Sequence, residues 1–483
     1  MDLKKSRKNI DKKSLLGLVL AIITFLSLFF IPLPPGMTIQ GQRSLAIFVA
    51  ALIMWVSKPI PIYQTSILAI LLLPLIGAVE SQKEAFGTLG FDIIWLMVAA
   101  FVLTSAMSET NLGKRVALIL VTKFGKTKVR TLAVFTVVNF LLAFFVPSTT
   151  ARASLIMPIA LILLEVYQAI PGESKFGKLM MLQGVQNNAF ATSMVMTATS
   201  AQVIAVGFIN EQAGGSIGYS DWLLGSMPQA ILTAIVLFFI GLKLFNISSD
   251  ENKDINKVIQ TTLKKQLNEL GPITSAEKRV GIIFLTTLIL WATGDFQKDW
   301  IGFEVSTEQT AVLSMLLCLL PKVGVITWKK AKIKWDLMIF SAGAYAVGNA
   351  FNDSGGATWI IERLVAVIGL DRLNTSMVAI ILIFITVFSH FIFTSKTVRT
   401  TILIPAIISI ATTLGMNPVS LALACSFGIA CTVTLPPHSK VNTLYFGTGY
   451  FSVLDELKFG LLACFVNASV ISLVYFLWLN VIL

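Results

Sequence analysis

One pattern limits this chain more than any other. The stretch Pro147-Ser148-Thr149-Thr150-Ala151-Arg152-Ala153-Ser154-Leu155-Ile156-Met157-Pro158 returns in the second half as Thr394-Ser395-Lys396-Thr397-Val398-Arg399-Thr400-Thr401-Ile402-Leu403-Ile404-Pro405. The shared frame is Ser-x-Thr-x-Arg, five residues, then Pro. Each copy sets a fixed positive charge inside sequence that is otherwise apolar enough for a bilayer. Such a charge is costly at that depth without a partner. A chain that makes the arrangement twice points to an anion held between the copies.

The surrounding sequence supports the bilayer. Of 483 residues only 13% are charged and 55% are hydrophobic, while a soluble domain carries roughly 25% charged residues. Apolar runs long enough to cross about 30 Å of hydrocarbon lie at 15–33, 42–57, 62–80, 92–112, 184–208, 223–246, 279–294, 307–322, 335–366, 418–448 and 456–482. That predicts an all-α polytopic membrane protein with about 11 transmembrane helices. Two further stretches, 131–166 and 375–413, are split by the motif, and their arms read as too short or too polar to cross. They are predicted to be re-entrant hairpins, which a bilayer allows only where protein or a watery cavity covers the tip.

Charge fixes the orientation. With the N-terminus (Lys4, Lys5, Arg7, Lys8, Lys12, Lys13) in the cytoplasm, eleven crossings leave Lys114 to Arg130, the linker before Arg279, and Lys322 to Lys334 on that side, and the acidic Gly207 to Asp221 outside. That is the positive-inside pattern. The net charge of +12 therefore marks topology and gives no reason to expect nucleic acid. Cys318, Cys425, Cys431 and Cys464 have no paired spacing and read as small core residues.

The hydrophilic segment 246–272 divides the chain, and the halves echo each other: Trp55 with Trp291, Phe91-Asp92 with Trp335-Asp336, then the two hairpins, then two polar interruptions. If each half holds five crossings after the first span, the halves have opposite orientation. This is the inverted-repeat plan of secondary transporters, whose sites lie near the midplane.

The chemistry then follows from the tips. Ser148 and Ser395 are placed to cap the second arm of each hairpin, with Thr150 and Thr397 in its first turn, so unpaired N–H groups and the positive dipole end face the tip. Arg152 and Arg399 fall four residues beyond the serines on roughly the same helical face. The competing readings are hydroxyls bonded back to their own helix, and arginines that snorkel or pair with an acid such as Glu165. Thr197 to Gln202 and Pro436 to Asn442 interrupt two further spans and predict discontinuous helices offering backbone groups to a ligand. Packed kinks are the alternative. His390 and His438 read as hydrogen-bonded structural residues, with proton sensing as the alternative. No phosphate loop, metal-ligand cluster or nucleophile with a base is present, so neither an enzyme nor a cofactor is expected.

These residues, with Trp55-x-x-Lys58-Pro59-Ile60-Pro61, Asn111-Leu112-Gly113-Lys114-Arg115, Asp221-Trp222, Glu269-Leu270-Gly271-Pro272 and Phe446-Gly447-Thr448-Gly449-Tyr450, give a chain that resembles the divalent anion:sodium symporter family, the INDY-type di- and tricarboxylate carriers, over nearly its whole length. The resemblance implies an elevator-type homodimer in a plasma membrane. A scaffold domain would comprise 1–122 and 270–370, and a transport domain 123–245 and 371–483. It also implies that Ser148, Thr149, Thr150, Thr199, Ser395, Lys396, Thr397 and Ser439 contact the substrate. The sodium-coupled members carry Ser-Asn-Thr at both tips and Thr-Pro-Pro-Asn in both broken helices. Here Thr149 and Lys396 stand at the two asparagines, Thr199-Ser200-Ala201-Gln202 and Ser439-Lys440-Val441-Asn442 replace the other motifs, and Lys58 stands where an acid is usual. An ammonium repels sodium by about 4 kcal/mol at 4 Å and an effective dielectric of 20. The expectation is therefore sodium-independent obligatory exchange of dicarboxylates (succinate, malate, fumarate, 2-oxoglutarate or citrate), with Lys396, Lys440, Arg152 and Arg399 doing sodium's work. The alternative is a sodium- or proton-coupled symporter.

Overall fold

A computed structural model describes residues 12–248, 253–369 and 372–482. The basic positions Lys4, Lys5, Arg7 and Lys8, parts of the predicted linker, and the domain boundary at 370–371 lie outside the described residues. Every regular element described is helical.

The chain enters through α1 (Lys12–Phe30), which packs along α2 (Ile39–Ser57). Lys58 ends α2 in the left-handed region, its N–H on Met54 O at 2.8 Å. After α3 (Ile62–Leu75) and the short α4 (Gln82–Gly87) comes α5 (Asp92–Ser108). The basic segment after it forms α6 (Leu112–Phe124) and the start of α7 (Lys128–Phe145), which with α8 (Thr149–Val166) makes the first hairpin. A broken span, α9 (Lys175–Met194) and α10 (Ser200–Gln212), and the long α11 (Tyr219–Leu244) complete the first half.

The predicted linker is not simply hydrophilic connection. Residues Lys253–Glu269 form α12, whose Ile259 and Leu263, one turn apart, are buried where the helix lies on α6 and α8. Arg115 clasps its end, donating to the carbonyls of Gly271 at 2.9 Å, Leu270 at 3.4 Å and Pro272 at 3.4 Å and pairing with Glu277 at 3.2 Å. Glu277 closes a capping box with Thr274 at the start of α13. Burial works to raise its carboxyl, but the Thr274 backbone bond and Arg115 outweigh that and hold it below its usual value.

The second half repeats the first: α13 (Ser275–Ala292), α14 (Gly294–Ile301), α15 (Thr307–Leu319), α16 (Trp335–Asp353), α17 (Gly356–Ile368), the hairpin α18 (Thr375–Phe388) and α19 (Lys396–Thr413), the broken span α20 (Pro418–Ile429) and α21 (Lys440–Phe446), then α22 (Val453–Val474) and the terminal turn α23 (Asn480–Ile482). Two expectations need correction. The run 335–366 is not one helix: Ser354 ends α16, and Gly355, at φ +76°, turns the chain into a separate α17. A glycine pays little for that conformation. The arms of the first hairpin are not short: each has 18 residues and is long and apolar enough to cross a membrane. What returns them is the tip.

The packing is reciprocal. α3 lies against α16 and α5 against α15, so each half supplies a partner to the other; likewise α10 packs on α19 and α21 on α8. Trp55 is fully buried edge-on to Phe340 at 5.4 Å, and its counterpart Trp291 stacks on Tyr219 at 4.3 Å. Close approach is enforced by small residues. A Cβ on Gly184 of α9 would meet the Tyr445 ring of α21 at 2.5 Å. Large aliphatic and aromatic side chains such as Phe239, Ile282 and Leu285 remain exposed, as a lipid-facing surface requires.

Candidate anion-binding cavity

Both hairpin tips form as the serines dictate. Ser148 Oγ accepts from Ala151 N at 3.3 Å and Ser395 Oγ from Val398 N at 3.4 Å. These are N-caps, so α8 and α19 begin at the tips with their remaining N–H groups turned outward. The two broken spans supply further helix starts: α10 begins after Thr199 and α21 after Ser439, both in extended conformation.

These starts meet. A cavity of about 540 Å³ is lined by Ser148, Thr149 and Thr150 from the first tip, Lys396 and Thr397 from the second, Thr199 and Ser200 from one break, and His438, Ser439 and Lys440 from the other. Its size suits a small organic ligand, and hydroxyls, ammonium groups and helix N-termini suit an anion. Ser395 is absent from the lining and serves as a cap. The tips and breaks that the sequence singled out are thus brought to one place.

The arginines are not in the wall. Arg152 is fully buried and turned back from the cavity, donating to Val146 O at 2.9 Å, Asn188 O at 3.3 Å and the Thr192 hydroxyl. Arg399 is equally buried and donates to Ser389 Oγ at 2.8 Å, Ile429 O at 3.2 Å and Thr386 O at 2.7 Å. Neither has an acidic partner among the described residues and neither reaches the surface, so pairing and snorkelling are both excluded. Each guanidinium sits among oxygens at or near helix ends, tying the tip to its own first arm and to the neighbouring span. Asn188 Nδ2 adds a bond to Thr149 O at 3.1 Å.

The mouth holds residues that sequence reasoning did not single out. Phe101, Thr104, Ser105 and Ser108 of α5, Glu109 at its end, and the lysines Lys330, Lys332 and Lys334 also line the cavity, with Lys330 and Glu109 paired at 3.3 Å. The signal for them is the lysine-rich segment Lys322 to Lys334, whose charge marks topology as well. Its charges also raise the local concentration of anions.

The histidines form one chain. His390 Nδ1 lies 2.7 Å from Val387 O and its Nε2 2.8 Å from Thr434 Oγ1; that hydroxyl lies 2.9 Å from His438 Nδ1. His390 and Thr434 are fully buried, and His438 reaches the cavity.

A family model described as sodium:sulfate symporter transmembrane region matches residues 12–483. A sodium-dependent dicarboxylate transporter of Staphylococcus saprophyticus is 29% identical across 98% of this chain and 93% of its own. A Bacillus subtilis protein whose name proposes malate transport is 29% identical over 74% of each chain. Among solved structures, the YdaH transporter of Alcanivorax borkumensis superposes with a TM-score of 0.57 over 83% of this chain and 87% of its own, at 13% identity. That likeness speaks to fold alone.

Proposed function

The chain belongs to the sodium:sulfate symporter family, and from that premise we propose that it exchanges dicarboxylates across a plasma membrane without sodium, by obligatory antiport. One relative is named a sodium-dependent dicarboxylate transporter and the name of another proposes malate transport, and the cavity takes polar residues from both tips. The hairpins and broken spans, 123–245 and 371–483, move together as the transport unit, and the rest forms the scaffold of a homodimer. Lys330, Lys332 and Lys334 line the cavity, and the positive-inside pattern expects that side to be cytoplasmic, which supports reading this as an inward-facing state.

One observation carries the sodium-independent part. The oxygens of the kind that ligate an alkali ion, backbone carbonyls and hydroxyls gathered behind each tip, are already taken up by Arg152 and Arg399. Lys396 and Lys440 then put two more cations into the cavity itself. Fixed charge of this amount suits a dianion and leaves no place for a mobile cation.

A second reading, proton-coupled symport, is favoured by Glu456. It is fully buried in α22 and has no basic partner among the described residues. A carboxylate there is costly without a partner.

Counterflow distinguishes the readings. Proteoliposomes preloaded with unlabelled succinate should take up labelled succinate equally with and without sodium or a pH gradient. Uptake that requires a sodium gradient would overturn the proposal, and uptake driven by a proton gradient and lost in Glu456→Gln would favour the second reading.

A further inference from the structure

The hydrogen-bond chain behind the second tip fixes the tautomer of one residue that lines the cavity. A backbone carbonyl only accepts, so His390 must donate to Val387 O from Nδ1, at 2.7 Å. In the uncharged ring Nε2 is then the acceptor. The Thr434 hydroxyl, 2.8 Å away, must give it its single proton. With that proton spent, Thr434 Oγ1 can only accept from His438 Nδ1, at 2.9 Å. His438 therefore carries its proton on Nδ1, and its Nε2 is left as a bare lone pair with no hydrogen bond to the described residues.

Apart from Glu109, which Lys330 already pairs, the side chains lining the cavity offer donors to a ligand. Lys396, Lys440, the hydroxyls and the helix starts all donate, as a carboxylate needs. Nε2 of His438 requires a donor instead. We infer that His438 is a specificity-determining residue: it accepts a hydrogen bond from a hydroxyl on the carbon chain of the substrate, and so selects 2-hydroxy dicarboxylates over plain ones. Thr434 and His390 are positioning residues that hold the required tautomer. The inference rests on the dicarboxylate reading above.

Geometry narrows the partner further. A second carboxylate at this place would set its lone pairs against that of Nε2, whereas a hydroxyl can donate to His438 and still accept from a neighbouring ammonium. Malate and succinate differ by that one hydroxyl. A site with a buried acceptor distinguishes such a pair more sharply than an apolar pocket does, because the plain ligand leaves the acceptor unpaired.

The test is competition against labelled succinate in proteoliposomes at pH 8, above the ordinary imidazole range near 6.5, so that the rings are uncharged. For the native chain, malate should compete about five- to tenfold better than succinate. His438→Asn, which keeps a group near Nδ1 but has none at Nε2, should bring the ratio to about one, and His438→Gln, which can set its carbonyl oxygen near Nε2, should retain it. Should His438→Asn fail to assemble, Thr434→Val reads the same ratio with the ring in place. It should lose the preference, and Thr434→Ser should restore it. A native ratio of one, or a ratio unmoved by His438→Asn and Thr434→Val, overturns the inference while leaving exchange intact. Absence of competition by any dicarboxylate in the native chain would overturn the transport reading instead.

Discussion

If the chain is the exchanger proposed above, replacing Lys396 with asparagine should make it leaky. The cations divide into two kinds. Arg152 and Arg399 are each held by three bonds to neighbouring oxygens, so their charge is largely compensated whether or not substrate is present. Lys396 and Lys440 face the cavity with no acidic partner among the described residues. In the proposed mechanism, these two are the charges that the moving unit would carry through apolar surroundings when the cavity is empty. At about 2.5–3.5 kcal/mol each, the pair adds roughly 5–7 kcal/mol to the barrier and slows the empty return about 10⁴-fold or more. A bound dianion cancels that cost. Lys396→Asn removes one charge and should speed the empty return about 10²-fold. The assay compares efflux of labelled succinate from loaded proteoliposomes into buffer with and without external succinate. In the native chain efflux should need external substrate; in Lys396→Asn the ratio of the two rates should fall about a hundredfold. If native vesicles empty equally fast into substrate-free buffer, or the variant leaves the ratio unchanged, the charge argument is wrong.

Two further substitutions probe the supports of the site. Arg399→Ala strips the donor from Ser389, Thr386 and Ile429 and should destabilise the protein by several kcal/mol, since bonds to a charged group contribute about 1.5–3 kcal/mol each; sodium should partly restore the melting temperature by entering the vacated oxygens, whereas choline should not. Glu277→Gln tests the clasp on α12. Because the folded carboxyl titrates below its unfolded value near 4.3, its stabilisation is complete at neutral pH and is lost as pH falls through the folded value. Native and variant melting temperatures should therefore differ by a constant amount between pH 7 and 5.5 and converge at lower pH. A constant gap down to pH 3 would remove Glu277 from the account.

Much of this arrangement is legible in the sequence. The hairpins fall at the predicted 375–413 and within three residues of the predicted 131–166, because Ser148 and Ser395 cap the second arms as the spacing suggests. Eight of the residues chosen at the tips and breaks line one cavity. What could not be read was side-chain direction. Arg152 and Ser148 share a helix face in sequence, but the arginine is long enough to turn back to the end of its own hairpin's first arm, and only the position of α9 shows that oxygens wait there. The helix inside the linker also has a sequence signal: Ile259, Leu263 and Leu267 mark one stripe at four-residue spacing, hidden by the polar average around them. The bond between His390 and Thr434 spans 44 residues, and nothing local announces it.

The reciprocal packing of α3 with α16 has a consequence during synthesis. The Ser66 hydroxyl must wait for the carbonyl of Phe340, 274 residues downstream. At about 5–20 residues per second, that is roughly a quarter of a minute to a minute in which an early helix has no native neighbour. With only 14 residues, α3 is short for the hydrocarbon, so until its partner emerges it is a poorly anchored nascent segment. Ribosome pausing, insertase capacity and quality control would all act on that interval, and a substitution in α16 could be felt first as a failure of α3 to stay in place.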